Sequence, residues 1–352
     1  MAAREADQRL EDLKKNGIKI YSISRLNTYH TCPYQAYLHY VEEIEGKNIG
    51  VYGVLGGSVH DQIEACIKDG ADKSTIKDAI QDELDNLELL GVEFPKDRNG
   101  EDKIKRNWVA NMERFAEEFT TPKGKFKTEE LLLLRIDDKH YMQGYADAIR
   151  YNKDGSVTLI DWKTSTNYTK DKVIEAGRQL AFYKKALEEQ GLKVKRTAWC
   201  MLKYCITTWE QKGKAKEKIS EWRNLVKDLQ KPIESALADK GYDDVDIGLI
   251  MNEALKNNEI PSEIRDTFHT SIYVRNYDVT EEVMAETMDY IKSTIDAYET
   301  MGEDENNYPP LNIEKESFYC NALCEFGGKS EQCKYYVDYC NQFNEEDEDD
   351  IF

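Results

Sequence analysis

The stretch Gly144–Lys163, GYADAIRYNKDGSVTLIDWK, predicts two short strands joined by a tight turn. The turn signal is Asn152–Gly155, because Asp-Gly tolerates the positive φ that a tight hairpin turn requires. Apolar residues flank this turn on both sides, as in strands that contribute to a core. We therefore expect a β-hairpin here, and the rest of the chain is interpreted around it.

Three polar side chains of this hairpin carry candidate chemistry. Asp161 and Lys163 flank Trp162, so the alternation of a strand puts both on one face. Asp147 lies in the partner strand. Two carboxylates and a lysine at neighbouring positions suit both a hard metal ion and a developing negative charge. A hairpin that carries ordinary solvated charges is the competing interpretation.

The elements around the hairpin indicate an α/β fold. Leu131–Ile136 predicts a strand before it, Asp171–Gln190 a helix after it, and Val194–Tyr204 a further strand. The resulting order is helix, three-strand meander, helix, strand, which is typical of an α/β core with the hairpin at its centre.

We divide the chain into five segments by composition and period. They are a helical N-terminal region (1–127), the core (128–206), a helical insertion (207–278), a C-terminal helix with a cysteine cluster (279–343) and an acidic disordered tail (344–352). Within the insertion, Glu210–Lys218 is lysine-rich and is typical of a flexible segment. Its lysines suit either a solvated face or contact with a DNA backbone.

The composition limits the classes of function. The net charge of −20, part of it from Glu345–Asp350, argues against a general nucleic-acid coat but leaves room for a local basic cleft. No apolar run is long enough to span a membrane, and Met1–Asp12 lacks the apolar core of a signal peptide. We therefore expect no membrane partner and a cytoplasmic location.

The eight cysteines would stay reduced there, so they are better interpreted as metal ligands than as disulfides. Four of them fall within 21 residues, at Cys320, Cys324, Cys333 and Cys340. Four sulfurs suit zinc or an iron–sulfur cluster, and their spacing does not decide between the two. Cys32, before Pro33 at a predicted helix junction, suits a small buried residue as well as a ligand.

Together these residues resemble the PD-(D/E)XK nuclease superfamily, in particular its RecB-like branch with a cysteine cluster, the AddB nuclease and Cas4 type. The matching residues are His60 in Gly-x-x-x-His, Glu130 as the upstream acid, Asp147 in Gly-x-x-Asp, Asp161-Trp162-Lys163, and Gln179-x-x-x-Tyr183 on the following helix. The resemblance covers roughly Ser22–Leu202 and Cys320–Cys340. It implies the restriction-endonuclease-like core of that superfamily.

The resemblance also implies roles for these residues. Asp147, Asp161, the carbonyl of Trp162 and His60, with Glu130, would hold Mg²⁺ or Mn²⁺. Lys163 would orient the attacking water or offset charge, and Gln179 and Tyr183 would position the strand. The family's [4Fe–4S] cluster would be held by Cys32, Cys320, Cys324 and Cys333, with Cys340 as the substitute ligand and zinc as the less favoured occupant.

The expected function is a metal-dependent DNA exonuclease that acts on ends or single strands in replication, recombination or repair. The alternatives are a non-catalytic module that binds DNA ends or the replisome, and an electron-transfer protein, which would leave the hairpin carboxylates unexplained. The acidic tail, Glu345–Phe352, suits docking of a replication partner or occupation of the protein's own DNA cleft. This tail, with no phosphate-binding loop or helicase motif, suggests a viral, phage or mobile-element setting.

Overall fold

The computed structural model describes residues 7–349 of the chain, and the side chains of residues 7–342. Seven strands form one mixed sheet. The strands are β1 (Lys19–Tyr21), β2 (Lys125–Arg135), β3 (His140–Tyr151), β4 (Val157–Lys163), β5 (Val194–Gln211), β6 (Lys214–Glu221) and β7 (Phe268–Asn276). The fold is a mixed α/β fold built on a central hairpin, as predicted.

The predicted hairpin is confirmed as β3 and β4. They pair antiparallel from Ala148–Ile160 to Tyr151–Val157, and Gly155 in the connecting turn has a φ of 80°. Strand β2 pairs antiparallel with β3 along its other edge, whereas β1 pairs parallel with the beginning of β3. Strand β5 lies parallel to β4 and is joined by β6 and β7, both antiparallel to it.

Helices cover both faces of this sheet. They are α1 (Gln8–Lys15), α2 (Ile23–Thr31), α3 (Pro33–Tyr40), α4 (Val51–Lys68), α5 (Ser74–Leu89), α6 (Lys103–Glu118), α7 (Asp171–Glu189), α8 (Leu225–Asp228), α9 (Gln230–Asp239), α10 (Asp244–Asn257), α11 (Glu281–Met301), α12 (Ser317–Ala322) and α13 (Lys334–Asp349). None of the helices in residues 7–349 combines the length and the apolar composition that a membrane crossing requires.

Two hydrophobic cores lie on opposite faces of the sheet. One contains apolar side chains of α2, α3, α7 and α11 together with the cysteine-rich segment. The other contains side chains of α4, α5 and α6 and of the short helices α8 to α10. Both cores reach the central hairpin, since Leu159 belongs to the first and Trp162 to the second. The polar groups at the end of β4 are therefore held between two packed layers.

Local sequence explains how the elements near the site begin. The Ser22 hydroxyl accepts a hydrogen bond from the Arg25 amide and caps α2, and Pro33 occupies the first turn of α3. Cys32 lies at the junction of these two helices, as predicted. Helix α11 is capped in the same way as α2, because the Thr280 side chain accepts a hydrogen bond from the amide of Val283.

The structure corrects the prediction of a helical insertion over 207–278. Strand β5 continues to Gln211, β6 follows after a two-residue turn, and β7 ends the segment, so only its middle part is helical. The alternation of KAKEKISE in β6 is a strand pattern, which its lysine content obscured. At the C-terminus, α13 continues into the predicted acidic tail as far as Asp349, and residues 350–352 lie outside the described residues.

Candidate active site and cysteine cluster

The carboxyl end of β4 holds a buried ion pair. Asp161 and Lys163 lie on one face of the strand, and the Lys163 Nζ is 2.7 Å from the Asp161 Oδ2. The Asp161 side chain is only 1% exposed. Its Oδ1 has no hydrogen-bond partner within the described part of the chain. A buried carboxylate oxygen without a donor is costly, so this atom needs a cation to offset its charge.

Asp147 meets this pair from β3. Its Oδ2 accepts a hydrogen bond of 2.7 Å from the amide of Trp162, just beyond the last ladder pair between β3 and β4. Burial and then the negative charge of Asp161 raise the pKa of Asp147 well above its usual range, while the Lys163 charge opposes both effects. The two carboxylates therefore repel each other in a site that water does not screen.

His60 approaches from α4 on the other side of Asp147. Its Nδ1 lies 3.7 Å from the Asp147 Oδ2. Burial and then the charge of Lys163 lower the pKa of His60 to about 4, so the imidazole is neutral near pH 7. One turn further along α4, Glu64 accepts a hydrogen bond of 3.0 Å from the Thr128 hydroxyl and holds this helix against β2.

The structure does not bring Glu130 to these groups. Glu130 forms an ion pair of 2.9 Å with Lys127, at the rim of β2. Its neighbour Glu129 lies between residues that pair with Ala148 and Ala146, and so it faces Asp147 across the strand pair. The negative charge of Glu129 contributes to the raised pKa of Asp147.

Sequence reasoning missed Glu129 because β2 is irregular at this point. Glu129 has a φ of 49°, a conformation that bulky residues rarely adopt, and it stands outside the paired register of β2 with β3. An irregularity of this kind changes which of two adjacent glutamates is directed toward the neighbouring strand. The adjacent acids were the only signal in the sequence.

Helix α7 supports Lys163 through a chain of hydrogen bonds. The Lys163 Nζ donates to the Gln179 Oε1 at 3.3 Å, and the Gln179 Nε2 donates to the Tyr183 hydroxyl at 2.9 Å. Tyr183 then donates to the carbonyl of Tyr145 on β3 at 2.7 Å. Gly144 allows this contact, because a Cβ there would lie 2.6 Å from the Tyr183 ring. The predicted pair Gln179 and Tyr183 thus reaches the hairpin.

Four of the candidate cysteine ligands line one cavity. They are Cys32, Cys320, Cys324 and Cys333. Burial and then the neighbouring thiols of Cys32 and Cys333 raise the pKa of Cys320 to about 11. No group of three or more Cys, His, Asp or Glu side chains in residues 7–342 has the arrangement of a preformed metal site. Cys32, Cys320, Cys324 and Cys333 therefore share the lining of one cavity.

The remaining cysteines lie away from this cavity. Cys66, Cys200 and Cys205 are buried in the second core, on the face of the sheet opposite the cysteine cluster. Cys340 lies on α13 outside the residues that line the cavity, although its charge contributes to the raised pKa of Cys320.

The cysteine segment is hydrogen-bonded to the loop that precedes α4. The side chain of Asn48 donates to the carbonyl of Cys324 at 2.8 Å, and the Asn48 amide donates to the carbonyl of Glu325 at 2.9 Å. Gln332 accepts from the amide of Lys47 at 2.8 Å. Helix α4 begins at Val51, just after this loop, and carries His60. The cysteine cluster therefore supports the helix that delivers His60 to Asp147.

Comparison with known proteins identifies the family but adds little on substrate. No curated protein matches the chain. A solved structure described as "Crystal structure of SSO0001" is 17% identical, with 61% of this chain and 74% of that chain covered, and its TM-score of 0.23 is too low to support a conclusion. The family model of the PD-(D/E)XK nuclease superfamily matches residues 20–246, which is more than half of the chain. The chain therefore belongs to the PD-(D/E)XK nuclease superfamily.

Proposed function

We propose that this nuclease is a Mg²⁺- or Mn²⁺-dependent DNA exonuclease that acts on DNA ends or single strands in replication, recombination or repair. Membership of the superfamily supports nuclease chemistry in general. The observation that carries the proposal is the meeting of Asp147, Asp161 and Lys163 around a buried carboxylate oxygen that receives no hydrogen bond from the described residues. A fold does not need such an unbalanced group for stability, whereas metal-dependent catalysis does.

The donor set fits a hard divalent cation. Asp147, Asp161 and the carbonyl of Trp162 offer oxygen ligands, which Mg²⁺ and Mn²⁺ prefer, and a neutral His60 offers a nitrogen. Glu129 faces Asp147 and takes the part that the resemblance gave to Glu130. When bound, the cation lowers the pKa of a coordinated water and offsets charge on the phosphate.

Lys163 supplies the fixed positive charge of the site. Asp161 and Gln179 hold its ammonium group from two sides, so the group is oriented before DNA binds. An ammonium in this position stabilises the negative charge that grows on the phosphate oxygens and orients the attacking water. Tyr183 fixes Gln179, and through it Lys163, against β3.

We further propose that Cys32, Cys320, Cys324 and Cys333 hold a [4Fe–4S] cluster, with Cys340 as the substitute and zinc as the less favoured occupant. These four cysteines come from distant parts of the chain and line one cavity, as ligands of a shared cluster must. The bound cluster would join the N-terminal helices to the C-terminal segment and add to the stability of the fold.

DNA is the proposed substrate, and the acidic tail is a proposed docking element for a replication or recombination protein. Deletion of Glu345–Phe352 tests the second point. We expect the deletion to reduce pull-down of such a partner from a defined set of purified replication proteins. Unchanged capture together with unchanged cleavage would leave the tail without a role in docking or in access to the DNA cleft.

The test of the activity is digestion of end-labelled linear single-stranded and double-stranded DNA in Mg²⁺, Mn²⁺ or EDTA, with closed circular DNA as a substrate without ends. We expect metal-dependent cleavage of linear DNA, its loss in Asp161→Ala, and resistance of circular duplexes. Protein that is purified anaerobically and binds DNA but never cuts it would be a non-catalytic DNA-end or replisome-binding module instead.

A further inference from the structure

A three-stranded arm extends past the candidate active site. Strand β5 pairs with β4 as far as Met201, which lies opposite Lys163, and with β6 from Tyr204 onward. Strand β7 occupies the other edge of β5 over both regions. Strand β6 therefore takes the edge of β5 that β4 leaves, and the arm begins where β4 delivers Asp161 and Lys163.

The register of the arm separates its charges. Lys214, Lys216 and Lys218 pair with Gln211, Trp209 and Thr207, so all three lysines project from the same face. Glu210 and Glu217 fall at the alternate positions and project from the opposite face. The sequence alone shows a mixed-charge run here, but the strand converts it into one basic and one acidic face.

The three lysines are exposed. None of Lys214, Lys216 and Lys218 forms an ion pair with a side chain of residues 7–342, in contrast to Lys195, which pairs with Asp154 at 3.0 Å. The turn before them is tight, with φ of 51° at Lys212 and 68° at Gly213. In a chain of net charge −20 this face is a local concentration of positive charge.

The length of the arm sets where this charge would meet a bound substrate. Strand β5 has a register shift between Met201 and Cys205, so the length of the arm follows from its partner β7. Met201 pairs with Tyr273, whereas Thr207, the partner of Lys218, pairs with Thr270, three residues further along β7 (273 − 270). Trp209, the partner of Lys216, pairs with Phe268, five residues further (273 − 268), and Gln211, the partner of Lys214, lies two residues beyond Trp209. At about 3.4 Å per residue the lysines are about 10 to about 24 Å from the end of β4. Since duplex DNA rises about 3.4 Å per base pair, these distances correspond to about 3 to about 7 base pairs.

We propose that the face defined by Lys214, Lys216 and Lys218 binds the phosphate backbone of the DNA at this distance from the bond that is cut. This inference rests on the proposed function, because it assigns a further contact to DNA that is already bound in the candidate active site. A face that is merely solvated is the competing explanation, and the salt dependence of binding distinguishes the two.

The experiment measures fluorescence anisotropy of labelled DNA with full-length protein carrying Asp161→Asn, so that bound DNA is not cut. The arm variant K214Q/K216Q/K218Q is compared with K153Q/K193Q/K195Q, which removes the same charge at the opposite end of the sheet. We expect the arm variant to flatten the slope of log K against log salt by about 2.7 on duplex or about 2.1 on single strands. We expect no such change in the matched control.

Substrate length provides a second readout. DNA that extends fewer than about 3 base pairs, about 10 Å, from the cut cannot reach the lysines, so the arm variant should then bind it as the parent does. Equal slopes for the arm variant and the parent on long DNA, or equal losses in the control, would overturn the proposal. Wild-type cleavage is scored separately, so loss of the arm effect and loss of the nuclease assignment are distinguishable.

Discussion

At the scale of single residues, the candidate site combines buried groups that disfavour one another in the absence of a cation. Asp161 is buried and Asp147 is mostly buried, and the charge of Asp161 raises the pKa of Asp147. Lys163 compensates one of them, which leaves the pair short of positive charge. This imbalance is the strongest sign of function in the chain, because burying a carboxylate without full compensation costs stability.

We expect Asp147→Asn to stabilise the metal-free protein while abolishing cleavage. The folded-state pKa of Asp147 is raised, so the folded protein binds this proton more tightly than the unfolded chain, and stability falls as pH rises from about 4 through the folded-state value. The asparagine removes that fall, by at least about 1 kcal/mol near neutral pH, because one pKa unit is worth about 1.4 kcal/mol. Thermal unfolding of both proteins in EDTA across this pH range measures the effect. The prediction would be contradicted if the stability of the wild type rose relative to that of the variant as the pH increases.

Two adjacent glutamates provide a matched pair of variants. We expect Glu129→Gln to weaken Mn²⁺ binding about 10-fold or more, as for groups that support metal ligands, because Glu129 faces Asp147. Glu130→Gln should leave Mn²⁺ binding unchanged, since Glu130 pairs with Lys127 at the rim. Calorimetric titration with Mn²⁺ distinguishes them, and the reverse result would restore the assignment made from the sequence.

At the scale of secondary-structure elements, the site depends on how α7 and α4 pack against the hairpin. Helix α7 reaches β3 through Tyr183, whereas α4 reaches β3 through His60 and β2 through Glu64. The two helices lie on different faces of the sheet, so the polar groups at the end of β4 lie between them.

We expect Gly144→Ala to lower the free energy of unfolding by about 1 to 3 kcal/mol, the usual cost of overpacking. The added Cβ would lie 2.6 Å from the ring of Tyr183 and 2.9 Å from that of Phe182, which displaces α7. Gly53→Ala in α4 is the control, because a Cβ at that position would have no atom within 4 Å and alanine favours a helix. Urea denaturation compares the two. Equal free energies of unfolding for Gly144→Ala and Gly53→Ala would contradict the prediction, because α7 would then shift without a loss of stability.

Elements with a strong local pattern were predictable from the sequence, and those fixed by tertiary context were not. The hairpin followed from apolar alternation around Asp154-Gly155, and with it the shared face of Asp161 and Lys163. The irregularity at Glu129 has no local signal, because Glu-Glu within a strand pattern does not indicate a residue with positive φ outside the register. Strand β6 was missed because its lysines resemble a flexible segment until β5 fixes their register.

At the scale of the whole molecule, the two ends of the chain meet at the cysteine cluster. Cys32 comes from the junction of α2 and α3, whereas Cys320, Cys324 and Cys333 come from the last part of the chain. The hydrogen bonds of Asn48 connect this region to the start of α4. An occupant of the cavity therefore affects both the stability of the fold and the position of His60.

We expect Cys32→Ser to remove the visible absorption of anaerobically purified protein and to lower its unfolding temperature, since ligand binding to the folded state adds to stability. Cys66→Ser should keep the absorption, because Cys66 is buried in the core on the opposite face of the sheet. Cys340→Ser tests the choice of the fourth ligand and should also keep it. A wild-type protein that is colourless and contains zinc would show that these cysteines bind zinc and not an iron–sulfur cluster.

The assignment of the active site is decided by the single-turnover rate of DNA cleavage in Mg²⁺ for wild type, Lys163→Ala and the control Lys153→Ala. Lys163 is buried against Asp161, whereas Lys153 lies exposed in the hairpin turn at the opposite end of β4. Removing one preorganised donor costs about 3 kcal/mol, so we predict that Lys163→Ala lowers the rate by about 100-fold or more with DNA binding retained. The control should cleave at the wild-type rate. A Lys163→Ala protein that is folded and cleaves as fast as wild type would contradict the assignment.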